Sequence, residues 1–324
     1  MEISAVLTNF DCARFLPEAL ASVFAQDAAP FETVVVDDGS RDGSREAARP
    51  WEDRVRWVDV PHGGQASALN AALPLCRGEW VAFLETDDVW APEKLRAVAD
   101  AVRAEPDLVA VQHGLRQADE RLRPKPTALP ARPLRWTLED FLAGRTLLTG
   151  MSGLAVRRAA LEALLPLPAE LITCVDEYLQ PRLLDLGPMR HLPGSLGLRR
   201  VHGANHYAGV RVDARRLEAY LRLKDANKRL REDFLSSRGL TLDAARRLHE
   251  RRERAELELF RHRLGGRWSG AWASLREAAA SCGSSLHALF KASTLLIALA
   301  SPSAYLLLQS AYERVRIALS RERL

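Results

Sequence analysis

Several features that identify common protein classes are missing from this chain. The four cysteines are widely scattered and form no CxxC pair, which indicates neither a zinc site nor a disulfide framework and favours a reducing compartment. No tandem-repeat or collagen-like period occurs. The N-terminal residues contain no basic segment followed by a long apolar run. We therefore expect no secretory signal and a cytoplasmic location.

Both common glycine-rich phosphate-binding loops are also missing. No GxGxxG follows the first predicted strand, and no GxxxxGK[ST] occurs anywhere in the chain. Nicotinamide-dependent dehydrogenases and P-loop enzymes are thereby disfavoured. Phosphate groups bound by this chain would need another source of positive charge, and a metal held by acidic side chains is one such source.

The composition is that of a globular protein with an uneven charge distribution. The 324 residues are 47% hydrophobic and 27% charged, enough for one large or two ordinary domains. Residues 1–210 contain 23 Lys and Arg against 29 Asp and Glu, whereas residues 211–324 contain 23 against 13. The basic C-terminal part suggests an anionic membrane surface, although solvated helix faces explain it equally well. Sparse aromatic residues there disfavour nucleic acid as the partner.

The N-terminal pattern alternates between strands and helices. Short β-branched or aromatic runs predict strands, and apolar residues at helical spacing predict helices between them. This alternation is typical of an α/β fold with a largely parallel sheet, in which ligands bind beyond the carboxyl ends of the strands. The predicted strands are 3–8, 33–37, 55–60 and 79–84, and the predicted helices are 13–26, 43–51 and 65–76.

Acidic or polar clusters follow three of the predicted strands. They are "TNFD" (8–11), "DDGS" (37–40) and "ETDD" (85–88). The carboxylates of the last cluster repel one another unless water or a counter-ion compensates them. Magnesium or manganese would do so, since hard cations prefer oxygen ligands. The alternative is a solvated acidic turn before the next helix, at whose start Pro92 lies.

The remaining chain is predicted to be mixed and then helical. Four prolines in 116–135 predict a surface loop or extended hairpin. The next predictions are a strand and short helix in 151–168, a helix in 176–187, and two short strands and a loop in 188–207. Helical stretches are predicted at about 213–235, 241–264 and 267–281, followed by two more helices in 286–321.

The last predicted helical region contains a long stretch without charge. Residues 292–312 contain none, but polar residues and Pro302 interrupt them. We expect two helices that pack on the domain or lie in a bilayer interface. A membrane-embedded hairpin is the less favoured alternative.

The order of the motifs over residues 1–210 resembles the family 2 glycosyltransferases, which use nucleotide-sugars and have the GT-A fold. The resemblance implies a GT-A domain at 1–210, and the helical pattern predicts a second region at 211–324, for which association with a membrane is one of the two interpretations given above. The matching segments are "VLTNFDCARFLPEALASVFAQ", "FETVVVDDGSRDGS", "GGQASALNAALPLCRGEWVAFLETDDVWAPEKL", "SGLAVRRAALE", "CVDEYL" and "RRVHGAN".

This resemblance implies a donor-binding set at the strand ends. One of the paired acids Asp37 and Asp38 would accept a hydrogen bond from the N3–H of uracil or thymine, because a carboxylate is purely an acceptor. Gln65 and Asn70 would bind hydroxyl groups of the donor. The full implied set is Thr8, Asn9, Asp37, Asp38, Gln65, Asn70, Glu85, Thr86 and Asp87.

The resemblance also implies metal-binding and catalytic residues. Asp87 is the first choice as a ligand for Mn²⁺ or Mg²⁺, with Glu85, Asp88 and His202 beside it. Glu85 stands where the family usually has Asp, so its own role is open. Asp176 is the expected catalytic base, which takes the proton from the acceptor hydroxyl, and Glu177 is its rival.

The function implied is metal-dependent, inverting sugar transfer from a UDP- or dTDP-sugar to an acceptor hydroxyl. The acceptor would be a saccharide or lipid-linked saccharide in cell-surface glycan or glycolipid synthesis, and the enzyme would be cytoplasmic or peripheral at the inner face of the cell membrane. Two alternatives stay open: an inactive nucleotide-sugar-binding scaffold of the same fold, and a nucleotidyltransferase.

Overall fold

The computed structural model describes residues 1–127, 129–203, 205, 213–281, 294–301, 304–305 and 308. The chain divides into two compact units. The first comprises Met1–Phe141, Arg145–Val201 and Ala226–Phe234, and the second comprises Leu142–Gly144, His202–Asp225 and Leu235–Leu324.

A single mixed sheet forms the centre of the first unit. Its described strands are β1 (Ile3–Asn9), β2 (Glu32–Asp37), β3 (Arg56–Asp59), β4 (Trp80–Glu85), β5 (Val89–Trp90), β6 (Ala110–Ala118), β7 (Leu134–Trp136), β8 (Leu154–Arg157) and β9 (Met189–Arg200). Their order is β3-β2-β1-β4-β8-β6-β9-β5, with β7 paired to β9. The pairs among β3, β2, β1 and β4 are parallel, and β8 runs antiparallel to both β4 and β6.

Helices connect the strands of the first unit. They are α1 (Leu16–Phe24), α2 (Ser44–Ala47), α3 (Gln65–Ala72), α4 (Lys94–Ala104), α5 (Leu138–Leu142), α6 (Arg158–Glu162) and α7 (Val175–Leu186). Short 3₁₀ segments follow α2 and α3 and precede β8, at Arg49–Arg54, Leu73–Leu75 and Met151–Gly153.

The core of the first unit follows from the pattern of buried residues. The parallel strands are nearly continuous apolar runs because helices cover both faces of such a sheet. The α1 helix buries Leu16, Ala19, Leu20 and Val23, whose spacing places them on one helix face. These side chains pack in one cluster with residues of β1, β2 and β4.

The four predicted N-terminal strands and the helices between them are confirmed, apart from their bounds. The predicted helix 43–51 is shorter, since α2 ends at Ala47 and a 3₁₀ segment containing Pro50 follows. The prediction of two short strands before a loop in 188–207 is wrong as to the strands. One strand, β9, covers Met189–Arg200, and its register against β6 shifts where Gly194 adopts a φ of 72°. Such an irregularity accommodates Pro193 and Gly194 without ending the strand.

The C-terminal helices are α8 (Ala214–Ser237), α9 (Ala244–Leu264) and α10 (Trp268–Ala280), as the helical pattern predicts. A second apolar cluster, which includes Leu217, Phe260, Leu275 and Leu299, is buried there. Of the predicted helices in 286–321, residues 294–300 are helical, whereas 286–293, 302–303, 306–307 and 309–321 lie outside the described residues. Within the described part, each helix is too short or too polar to cross a bilayer.

Candidate active site

The carboxyl ends of three parallel strands bring the predicted donor-binding residues to one edge of the sheet. Asn9 at the end of β1 pairs with Asp37 of β2, and Thr8 pairs with Glu85 of β4. The β1 strand lies between β2 and β4. The connection that follows β1 therefore runs to β2 on one side, whereas β4 lies on the other side. Ligands of open α/β sheets bind at such a point.

Asp37 is held by its neighbours at the end of β2. Its Oδ1 accepts hydrogen bonds from Asn9 Nδ2 at 2.6 Å and Ser40 Oγ at 2.6 Å, and its Oδ2 accepts one from the Ser40 N–H at 3.0 Å. The side chain is buried. Asp37 thus has a defined orientation beside the end of β1.

Asp38 fastens the loop that leads into α3. Its two carboxylate oxygens accept the backbone N–H groups of Gly63 and Gly64 at 2.8 and 2.9 Å. The His62 Nδ1 atom lies 2.8 Å from Asp38 Oδ2. Both oxygens of Asp38 thus accept hydrogen bonds within the fold, as both oxygens of Asp37 do.

Gly64 permits a close approach between this loop and the segment before α7. Its φ is 83°, and a Cβ built there would lie 2.5 Å from Ile172 Cα. The N–H groups of Gln65 and Ala66, at the N-terminus of α3, donate to the carbonyl groups of Ile172 and Leu171. The first helical turn, whose N–H groups lack partners inside the helix, is thereby paired.

Gln65 connects the acidic end of β4 to the N-terminus of α7. Its Nε2 donates to Glu85 Oε1 at 3.2 Å, and its Oε1 accepts the Val175 N–H at 3.2 Å. Asp176 follows Val175 in the first turn of α7 and is buried. One side-chain amide thus holds the expected catalytic base close to the acidic cluster.

The residues after Glu85 form a turn in which the side chains of Asp87 and Asp88 have different surroundings. The Thr86 hydroxyl donates to the Thr8 carbonyl at 3.2 Å. Asp88 is buried, and its oxygens accept Ser152 Oγ at 2.7 Å and the Arg200 N–H at 2.9 Å. Asp87 between them is half-buried. The geometry therefore engages Asp88 in the fold and favours Asp87 as the ligand-facing acid.

The carboxylates near this turn have perturbed acidities. Burial raises the pKa of Glu85 to about 7, and the charge of Asp87 adds to the increase. Burial likewise raises the pKa of Asp176 to about 6, supported by the charge of Glu177 and opposed by Arg199. Desolvation penalises the charged form of an acid, which is the dominant cause in both. Perturbed pKa values of this kind cluster at functional sites.

Glu85 and Asp87 are suited to bind a divalent cation whose remaining ligands are oxygens of the substrate. The part of the chain that the structure describes holds no group of three His, Cys, Asp or Glu side chains placed to bind a metal. Magnesium sites that include phosphate oxygens, however, need only one or two carboxylates. Glu85 and Asp87 supply two, and a cation would relieve their repulsion. They do not form an all-protein metal cage.

Two predicted site residues, Asn70 and His202, have hydrogen bonds to residues outside the 85–88 cluster. The Asn70 side chain donates to the Leu167 carbonyl at 2.8 Å and accepts the Leu167 N–H at 2.7 Å, which engages its amide in the fold. His202 belongs to the second unit, where its N–H donates to Asn205 Oδ1. Their predicted roles in donor and metal binding stay predictions.

Sequence reasoning missed two contributors. The Ser152 hydroxyl donates to Asp88 Oδ2 at 2.7 Å and accepts the Glu85 N–H at 3.0 Å, so it connects the end of β4 to the following turn. Arg199 provides a positive charge toward Glu85 and Asp176. Ser152 opens the "SGLAVRRAALE" segment and Arg199 opens the "RRVHGAN" segment, so the position of each in a matching segment was the available signal.

The chain matches the family model for glycosyl transferase family 2 over residues 4–165. An uncharacterized glycosyltransferase of Nostoc sp. is 34% identical over 219 residues, which cover 64% of this chain and 67% of the relative. A Bacillus subtilis protein named for teichuronic acid biosynthesis, TuaG, is 32% identical over 97 residues, which cover 29% of this chain and 38% of that protein. The chain belongs to glycosyl transferase family 2 and is a glycosyltransferase.

Solved structures share the fold. Staphylococcus aureus TarS 1–349 in complex with UDP has a TM-score of 0.55 and 17% identity, covering 88% of this chain and 93% of that one. The mannosyltransferase PcManGT from Pyrobaculum calidifontis, in complex with GDP-Man and Mn²⁺, has a TM-score of 0.57 and 21% identity, covering 99% and 86%. The GT-A fold expected from the sequence is confirmed.

Proposed function

We propose that this glycosyltransferase moves a sugar from a nucleoside diphosphate sugar to an acceptor hydroxyl in a single displacement with inversion. Asp176 accepts the proton of the acceptor hydroxyl. The acceptor oxygen bonds to the anomeric carbon from one face while the bond to the diphosphate breaks on the other, and the electron pair of that bond goes to the leaving diphosphate.

The observation that carries this proposal is the bridge through Gln65. Glu85 and the first turn of α7 are joined by two hydrogen bonds of 3.2 Å to one side-chain amide. A base must lie within reach of the acceptor that attacks the donor. The hydrogen bonds of Gln65 connect the segment that carries the proposed base, Asp176, to the proposed donor site at Glu85. A pKa of about 6 also leaves Asp176 mostly deprotonated at neutral pH.

A divalent cation, Mn²⁺ or Mg²⁺, would be held by Asp87 and Glu85. When bound, it would neutralise charge on the departing diphosphate. Gln65 fixes the orientation of Glu85, and the hydrogen bonds of Asp88 hold the turn that presents Asp87. The presence of Mn²⁺ with GDP-Man in the Pyrobaculum mannosyltransferase complex supports this part of the proposal.

We further propose a UDP- or dTDP-sugar as the donor. The acceptor-only carboxylate of Asp37 suits the imide N–H of uracil or thymine. The structural relatives were solved with UDP, UDP-GlcNAc and GDP-Man, so a guanine nucleotide is the natural comparison. The named relation to teichuronic acid biosynthesis supports a role in cell-surface glycan synthesis, with a saccharide or lipid-linked saccharide as acceptor.

Donor identity is tested by thermal unfolding with a nucleotide-sugar panel and MnCl₂. A ligand that binds only the folded state raises the melting temperature, and we expect uridine or thymidine donors to do so more than guanosine donors. The stabilising donor is then used in transfer assays. We expect Asp87→Ala to lose metal-dependent turnover, and the release of free pyrophosphate would instead support a nucleotidyltransferase.

The second unit is proposed to contact an anionic membrane surface. Residues 211–324 carry ten more basic than acidic side chains, and α10 exposes Trp268 and Trp272, at 50% and 48% of their full surface, one turn apart. Tryptophan and basic residues are both typical of interfacial helices. Flotation of the full chain with phosphatidylserine vesicles tests this, and a Trp268→Ser/Trp272→Ser variant should float less. Equal flotation of both proteins, or none, would contradict the proposal.

A further inference from the structure

Arg199 lies beside the acidic turn because of the pairing of β9. Leu198 is opposite Val89 of β5, and Arg199 is opposite Gln117 of β6. The Arg200 N–H donates to Asp88 Oδ1 at 2.9 Å. The backbone of β9 thus runs directly alongside the turn that carries the proposed metal ligand.

The neighbouring Arg200 occupies the opposite face of β9. Its side chain is 2% exposed and donates from Nε to the Asp87 carbonyl at 2.8 Å and from Nη1 to the Glu120 carbonyl at 2.6 Å. Successive side chains of a strand point to opposite faces. Arg199 is therefore directed away from the interior that holds Arg200, and its side chain is exposed.

The charge of Arg199 acts on the whole acidic cluster. The guanidinium reaches solvent but is crowded by protein atoms, so it loses some hydration, and the carboxylates of Glu85, Asp88 and Asp176 outweigh this loss and raise its pKa. In return, Arg199 lowers the pKa of both Glu85 and Asp176. The charge of Arg199 therefore acts on acids of both β4 and α7, which the proposed reaction uses.

The other arginines of β8 and β9, namely Arg157, Arg190 and Arg200, donate to groups within the fold. Arg157, on β8, donates to Glu79 and to the carbonyl groups of Leu108 and Pro106. Arg199 makes no hydrogen bond or ion pair within the described part of the chain. Among the described residues the guanidinium thus has no acceptor for its five N–H donors, which are the groups that a phosphate would need.

We propose that Arg199 binds the diphosphate of the donor and stabilises the charge that develops on it as the sugar leaves. This inference rests on the proposed function. A guanidinium stays protonated and presents paired N–H donors that match phosphate oxygens. Arg199 thus supplies a permanent positive charge, in addition to the charge of the cation that Glu85 and Asp87 would bind.

A counter-ion role alone would have a different signature. If Arg199 only balanced the acids, its removal would raise the pKa of Asp176 and move the pH profile of turnover, while affinity for diphosphate would stay the same. If Arg199 binds the diphosphate, its removal lowers the affinity for the nucleoside diphosphate. The affinity for the nucleoside, which has no phosphate, stays the same.

The test is calorimetric titration of the full chain with UDP and GDP in MnCl₂, together with uridine and guanosine. For the diphosphate that the wild type binds, we expect Arg199→Gln to weaken affinity about 10- to 100-fold, since hydrogen bonds to charged groups are the stronger ones. Arg199→Lys should retain part of the affinity. Affinity for the matching nucleoside should not change. Arg103→Gln, which removes an exposed arginine of α4, is the control for net charge.

Equal affinity of the wild type and Arg199→Gln for the diphosphate would overturn the inference while leaving the proposed function intact. Equal losses for the diphosphate and the nucleoside would also overturn it, because they would show a general disturbance of the site. A wild type that binds neither UDP nor GDP is titrated with dTDP, and a lack of affinity there too would refute the proposed function, and the inference with it.

Discussion

The acids at the ends of β2 and β4 occupy similar positions but have different surroundings. Asp37 and Asp38 accept several short hydrogen bonds from backbone and side-chain donors. Glu85 accepts one bond from Gln65 and is repelled by Asp87. The end of β2 therefore contributes to the fold and to orientation, whereas the end of β4 retains unbalanced negative charge that a cation or substrate can use.

The comparison also divides the β4 cluster itself. Asp88 is satisfied by Ser152 and Arg200, in the manner of Asp38, although it follows Asp87 directly in the sequence. A carboxylate that receives backbone N–H groups stabilises a loop, and replacing it leaves buried donors unpaired. Burial and the charges of Asp87 and Glu85 raise the pKa of Asp88 as well, so it is the occupied oxygens of Asp88, and not its pKa, that distinguish it from Glu85.

The largest effect is expected for Asp176→Asn. The amide keeps the shape of the side chain but cannot accept a proton, so turnover should fall about 10²- to 10⁴-fold with nucleotide affinity close to normal. Steady-state kinetics and nucleotide titration measure the two quantities. Glu177→Gln is the matched variant, and a greater loss of turnover there would assign the base to Glu177.

Asp38→Ala should lower stability. The substitution removes the acceptors of the Gly63 and Gly64 N–H groups, and we expect the free energy of unfolding to fall by about 1–3 kcal/mol. Urea denaturation measures the change. Asp59→Ala, which removes an exposed acid paired with Arg45, should change it by less than about 1 kcal/mol. Similar values for both variants would remove the structural role assigned to Asp38.

The acid side of the pH profile should follow Asp176. Only the deprotonated carboxylate can accept the proton, so kcat/KM should decrease about tenfold per pH unit below a pH of about 6. Glu177→Gln removes a charge that raises this pKa, and the decrease should then begin at lower pH. A profile that does not move, or moves to higher pH, would show that the charge of Glu177 does not raise the pKa of the catalytic base.

The smallest effect is expected for the stability of Asp87→Asn without metal. Removing a charge that repels Glu85 should increase the free energy of unfolding by about 0.5 kcal/mol, even though activity is lost. Thermal unfolding in EDTA measures it. A clear loss of stability would place Asp87 with Asp38, as a residue whose main role is in the fold.

Much of the fold was readable from the sequence because local signals agreed with one another. Apolar runs such as Val34–Val36 predicted buried parallel strands, and the spacing of Leu16, Leu20 and Val23 predicted α1. The continuous β9 was less readable, because Pro193 and Gly194 resemble a chain break. Pairing with β6 overrides that local preference.

The sequence by itself determined the family, the order of the strands along the chain and the acidic residues that end them, since periodicity and residue type are local properties. Tertiary structure alone decided which acids are satisfied. Gln65 reaches both Glu85 and Val175, Asp88 turns toward Ser152, and Arg199 lies beside acids from two elements. These relations join residues distant in the chain, and hydrogen bonding and charge depend on distance in space.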